Sequence, residues 1–246
     1  MSGFFVGILS SIAFLVLLVI AGSGLLLWRR RRLLDLFRVS KDRGLTIFLS
    51  RLEIEQWGSI GFDGQPRSFA GPAVTAREAA AASDLRSIFE YLIPGLESQP
   101  GLLKTLFTRD IDVTVEPSPM AVGAIPNDRT MVTVGSPAFN VVSDWVQHAL
   151  NPRIVFDPNN TSLQSAGHQP VVDPQQGMVQ VLWDANLQRR VFYVGGLSEA
   201  GTVAALVYLA RRWEELRQNL GSQQTYAGLV RIEHGEPVLL STIHPH

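Results

Sequence analysis

The chain has 246 residues, 46% of them hydrophobic, and a formal net charge of −1. Its most basic run lies near the start, so the remainder is more acidic than that total. This sets nucleic acid aside as a partner, because a phosphate backbone is held by clustered Lys and Arg. There is no cysteine, which removes disulfides, thiolate nucleophiles and cysteine-ligated zinc together.

Residues 1–28 carry no charged side chain, and 4–28 are almost wholly apolar. At 1.5 Å per residue, such a helix covers a hydrocarbon core of about 30 Å. Arg29, Arg30, Arg31 and Arg32 end the run. Basic residues placed after the apolar stretch predict a retained signal anchor over 1–28 rather than a cleaved signal. The positive-inside bias then predicts a single-pass cell-membrane protein, N-out and C-in, contacting the lipid bilayer through residues 4–28 and keeping its C-terminal domain in the cytoplasm. The four arginines read as a stop-transfer signal with no preference for a particular lipid. Residues 29–45 are expected to be a basic juxtamembrane linker, helical over 33–39 and hinged over 40–44.

The remaining segment, 46–246, has the size of one α/β domain. TIFLSRLEI at 46–54 predicts a strand, and the glycine-rich stretch 58–71 a loop. Thr75 followed by Glu78 is a capping box ahead of a helix over 79–92, which Pro94 and Gly95 end. A short helix is expected at 102–107, an alternating strand at 111–116, and a fully apolar strand, typical of a parallel sheet, at 131–134. Helix is expected over 138–150, strand at 153–156, and a long loop over 157–177. Strands 178–183 and 190–194 form a hairpin around 184–188. A helix at 202–220 and a second hairpin, 226–232 with 237–243, close the chain. The expected fold is an N-terminal transmembrane helix followed by a Rossmann-like or flavodoxin-like mixed sheet with flanking helices.

Two strand-turn-helix units, MVTVGSPAFN at 131–140 and VFYVGGLSEAGT at 191–202, carry the candidate chemistry. In both, an apolar strand ends in glycine and a hydroxyl residue opens a helix. Backbone N–H groups and a helix N-terminus then face the carboxyl edge of the sheet, where anions bind. Gly135, Gly195, Gly196 and Gly201 allow close approach of a phosphate, and Ser136, Ser198 and Thr202 offer hydroxyls. Asn140 is placed to read a ribose or a base edge, and Glu199 lies inside the second turn. The alternative is purely structural: Gly195 and Gly196 make the turn, Ser198 caps the helix and Gly201 lets it pack on the sheet. The spacing is neither GxGxxG nor a Walker loop, and no histidine spacing resembles a metal site. Asp112 and Glu116 share one face of their strand and read as edge-strand charges that block aggregation. On the final helix Leu206, Leu209, Ala210, Trp213, Leu216 and Leu220 form a core stripe.

GGLSEAGT resembles a divergent GGxGT phosphate-binding loop of the Rossmann-like superfamily that includes lysine decarboxylase-like nucleotide phosphoribohydrolases and their non-catalytic nucleotide-sensing relatives. It is more loosely similar to nucleoside deoxyribosyltransferase-like and TIR-like domains. The resemblance implies a nucleotide-like or other phosphorylated small ligand. In the phosphoribohydrolases a glutamate follows the GT on the helix, whereas here Ala204, Ala205 and Leu206 stand there, which favours a sensor or regulator. Two alternatives stay open. One is an N-glycosidic hydrolase or transferase acting on a nucleotide or NAD, with Glu199 or Glu78 as its carboxylate. The other is a ligand-free membrane scaffold serving protein partners or a homo-oligomer.

Overall fold

The computed structural model describes residues 2–40, 42–60, 66–90 and 111–244; the helix expected at 102–107 lies outside them. Helix α1 is Ser2–Phe37, 36 residues long. Most of its side chains before Ala21 are outside the described set, and among the described residues no helix is long and apolar enough to cross a membrane. The described part of 14–28 nevertheless exposes Phe14, Leu17, Leu18, Leu25, Leu27 and Trp28.

The segment expected as a linker behaves differently at its helical end. Leu33, Leu36, Phe37 and Val39 are buried in the main core, with the Phe37 ring stacked 4.2 Å from Phe192 and edge-on to Phe89 at 4.8 Å. Arg29 pairs with Glu214 at 2.7 Å, and Arg30 donates to the Phe89 carbonyl at 3.2 Å. The apolar side chains at 33, 36 and 37 recur at helical spacing, so α1 runs unbroken into the domain and its last turns complete the core.

Strands β1 (Leu45–Leu49), β4 (Val113–Pro117), β5 (Thr130–Val134), β8 (Gly177–Asp184), β9 (Arg189–Gly196), β10 (Tyr226–Glu233) and β11 (Glu236–Thr242) form one sheet. Its order is β11-β10-β8-β9-β5-β1-β4. The half containing β4, β1, β5 and β9 is parallel, and β9, β8, β10 and β11 pair antiparallel. Every residue of β1 and β5 is buried, as expected for strands covered on both faces. The expected strand at 46–54 divides at Ser50 and Arg51, and its second half joins a separate hairpin, β2 (Leu52–Ile60) with β3 (Pro66–Ala73). That hairpin occupies much of the stretch expected as loop. Likewise β6 (Ile154–Phe156), the strand expected at 153–156, pairs with β7 (Leu163–Ser165), which lies inside the expected long loop.

Period-two alternation sorts the sheet's side chains into two cores. Ile47, Val132, Val134, Phe192 and Val194 face α1, α2 (Ala76–Glu90), α4 (Glu199–Arg211) and α5 (Trp213–Leu220). Phe48, Met131, Val191 and Tyr193 face α3 (Val141–Ala149) and the β6–β7 hairpin. The helix expected at 202–220 is thus two helices, broken at Arg212, which ends one and opens the other. The proposed core stripe from Leu206 to Leu220 is buried in both. At the far edge, Asp112 meets Arg129 at 2.8 Å.

Candidate functional site

The parallel half sets the site. The chain leaves β1, by way of the β2–β3 hairpin, for α2 on one face, leaves β5 for α3 on the other, and leaves β9 for α4 back on the first. Between such neighbours the connections diverge, and in open α/β sheets ligands bind at the carboxyl ends of strands at that switch point. The two glycine turns meet there. β5 and β9 are paired with Val134 opposite Val194, Gly135 N–H donates to the Val194 carbonyl at 2.9 Å, and a Cβ on Gly195 would lie 3.1 Å from the Gly135 carbonyl oxygen.

Gly135 has φ of +96°, in the left-handed range where glycine is unstrained, and an added Cβ would lie 2.1 Å from Ser50 Oγ. Ser50 directly follows β1 and is buried. Its hydroxyl faces the Val134 carbonyl at 3.3 Å and Glu78 Oε1 at 3.4 Å. Glu78 sits on the first turn of α2, its own N–H held by Thr75 Oγ1 at 3.2 Å, which realises the donor half of the capping box. The Glu78 side chain is 4% exposed, and its Oε2 has no hydrogen-bond partner. Burial pushes its carboxyl above the ordinary value of 4.5; Ser50 pulls it back, and Glu199 raises it further. A buried carboxyl displaced in this way marks Glu78 as a candidate functional group.

The remaining expected site residues serve the framework. Asn140 caps α3, accepting from Val142 N and Ser143 N at 2.9 and 3.2 Å. Its amide donates to the Val134 and Phe48 carbonyls at 2.8 and 3.2 Å, so both ends of the side chain are spent bridging β1, β5 and α3. Ser118, which no sequence motif singles out, accepts from Val141 N at 2.9 Å and joins the end of β4 to the same helix. Ser136 lies half-buried in the turn between Gly135 and Asn140.

In the second turn, Ser198 caps α4, accepting from Gly201 N at 3.4 Å and donating to the Pro174 carbonyl at 2.5 Å. Thr202 Oγ1 donates back to the Ser198 carbonyl at 3.0 Å. A Cβ on Gly196 would sit 2.5 Å from the Gly201 carbonyl carbon, and one on Gly201 would sit 2.3 Å from the Gln176 carbonyl oxygen. These glycines therefore let α4 lie directly on β8 and β9, backbone against backbone. Glu199, at the mouth of the turn, is 3.8 Å from Arg77. What converges on the switch point is Ser50, Glu78, Gly135 and Glu199, with the N-terminal ends of α2 and α4 beside them. Comparison with protein-family models, with curated proteins and with solved structures gives no match.

Proposed function

We propose that this chain is a membrane-anchored α/β domain that binds a nucleotide-like or other phosphorylated small ligand at the carboxyl ends of β1, β5 and β9 and works as a sensor or regulator. The observation that carries the site is the buried Glu78, which has one carboxyl oxygen without a hydrogen-bond partner and the other 3.4 Å from Ser50, the residue packed against Gly135. A carboxyl of this kind hydrogen-bonds sugar hydroxyls, and the neighbouring helix N-termini attract a phosphate. The likeness of GGLSEAGT to a GGxGT loop points the same way.

Anchorage is supported by the uncharged run before Arg29 and by the large apolar side chains that α1 exposes over 14–28. Contiguous exposed apolar surface on this scale is costly in water and marks a membrane or partner contact. The arginines after the run favour a cytoplasmic domain.

The test is thermal unfolding of the full chain in lipid nanodiscs against a panel of nucleotides and sugar phosphates. A ligand at about 100 times its Kd stabilises the fold by about 2.7 kcal/mol, and Glu78→Gln should reduce that shift. Silence across the whole panel would favour a ligand-free scaffold instead.

The raised Glu78 carboxyl also favours a second reading, an N-glycosidic hydrolase or transferase in which Glu78 is the reacting carboxylate or general acid. Release of free base from NAD or a nucleotide, abolished by Glu78→Gln and retained by Glu199→Gln, would select this reading; absence of any release removes it.

A further inference from the structure

At the opposite edge of the sheet from the switch point, α1 and α5 end beside the start of β9. Between them lies a cavity of about 570 Å³ whose lining includes Arg38, Arg190, Arg217, Gln218 and Asp35. The volume falls in the range of small-ligand sites. Arg190 is fixed by the helix it touches, donating from Nη1 to the Leu36 and Asp35 carbonyls at 2.6 and 3.3 Å, while its Nε is buried without a hydrogen-bond partner. Arg38 stands just past α1 with φ of +52°, its guanidinium 5.1 Å from the Trp183 ring centre.

Neither Arg38 nor Arg217 forms an ion pair among the described residues, and Asp35 is the lone carboxylate in the lining. Three guanidiniums against one carboxylate leave a formal excess of two positive charges. The carbonyl ends of α1 and α5 attract cations, which accounts for Arg190. They do not account for Arg38 and Arg217, which donate no hydrogen bond to those carbonyls. Burial lowers the proton affinity of Arg190, the Arg38 and Arg217 charges lower it further, and Asp35 offsets them in part.

We propose that this cavity binds a phosphate dianion, whether the headgroup of an acidic phospholipid or a soluble phosphorylated molecule, with Arg38, Arg190 and Arg217 as its ligands. Guanidinium forks match phosphate oxygens in pairs, and a dianion cancels the excess charge. The lipid source rests on the anchor reading. α1 is continuous past Arg32, so Asp35 to Arg38 lie about 5–10 Å beyond the arginine collar, which is headgroup depth once the collar sits at the edge of the hydrocarbon.

The experiment is calorimetric titration of the full chain with inorganic pyrophosphate, in phosphatidylcholine nanodiscs and in the same discs with added phosphatidic acid. The wild type should bind in neutral discs. Arg217→Gln and Arg38→Asn, the latter compatible with a positive φ, should each weaken binding about tenfold with melting temperature unchanged. Arg190 is left intact because it holds the end of α1. Suppression of pyrophosphate binding by phosphatidic acid identifies the lipid headgroup as occupant; equal binding in both discs identifies a soluble one. Failure of the chain to enter discs would refute the anchor alone, and the same titration in detergent then decides the cavity. Absent binding, or equal binding by wild type and both variants, overturns the proposal.

Discussion

Phe37→Ala separates a flexible linker from a helix that is part of the domain. Phe37 is fully buried, stacked on Phe192 and edge-on to Phe89. Truncating a core phenylalanine costs about 3–5 kcal/mol through lost transfer energy and the cavity left behind. Two aromatic contacts, each worth about 0.5–1.5 kcal/mol beyond area, place this residue toward the upper end. That is a large share of a domain's total of about 5–15 kcal/mol. Phe37→Leu keeps most of the volume and should cost about 1–2 kcal/mol. The assay is urea unfolding of the full chain in detergent, followed by tryptophan fluorescence, since Trp213 lies in the same core. With a slope of about 2 kcal/mol per molar, the alanine variant's midpoint should fall by about 2 M. A fall of less than about 0.5 M, or leucine and alanine behaving alike, would refute the claim that α1 completes the core. The same reasoning fixes where the chain can be cut: a fragment beginning at residue 41 lacks Leu33, Leu36, Phe37 and Val39, all buried.

Three further outcomes follow from the geometry. Glu78 has a folded-state pKa above its ordinary 4.5, chiefly from burial. Above pH 4.5 the folded state therefore holds more proton than the unfolded one, and stability falls as pH rises through the raised value. Glu78→Gln should flatten that decline in melting temperature between pH 4 and 8, and superimposable profiles would show that burial does not shift the group. Gly201→Ala forces a Cβ to within 2.3 Å of the Gln176 carbonyl and should destabilise by about 1–3 kcal/mol in chemical denaturation, whereas a glycine needed only for ligand approach would leave stability intact. Asp184 and Arg189 form an ion pair at 3.1 Å, 3% and 1% exposed, and Arg189 also bonds the Pro126 and Arg129 carbonyls. Asp184→Ala, leaving a buried cation unpaired, should cost about 3–5 kcal/mol, read as a drop in melting temperature at neutral pH.

Periodicity and local chemistry made much of this legible. The uncharged, largely apolar run at 131–134 announced a strand buried on both faces, and the 3.6-residue stripe from Leu206 to Leu220 announced the helical face that meets the sheet. Where the sequence misled, a local signal had two physical uses. Ser50 and Arg51 look like part of one strand because both flanks are apolar, yet there the chain leaves the sheet and begins a hairpin. The glycines of GGLSEAGT fit both a phosphate cradle and tight helix-on-sheet packing, and only the Gln176 and Gly201 backbones opposite them show the second use. Glu78 is visible as a capping residue, but its hydrogen-bond partner Ser50 lies twenty-eight positions earlier. The arginine cavity is assembled from residues 38, 190 and 217, and no local pattern could join them.

The two ends of β9 divide the molecule's chemistry. Arg190 lies at the membrane-proximal end in the proposed orientation, and Gly195 and Gly196 lie at the other, about 20 Å away at a rise of about 3.3 Å per residue. That exceeds the screening length of about 8 Å at physiological salt, so charge on a bilayer surface at the first end would have little direct hold on a ligand proposed at the second. Mechanical contact is the remaining route, and α2 provides it. It carries Glu78 in its first turn and, about 16 Å along at 1.5 Å per residue, Phe89, whose ring packs against Phe37 and whose carbonyl accepts from Arg30. A ligand that displaced the start of α2 would thereby work on the end of α1, the root of the proposed anchor. One that displaced α3 would not, because α3 lies on the other face and belongs to a core that contains no residue of α1.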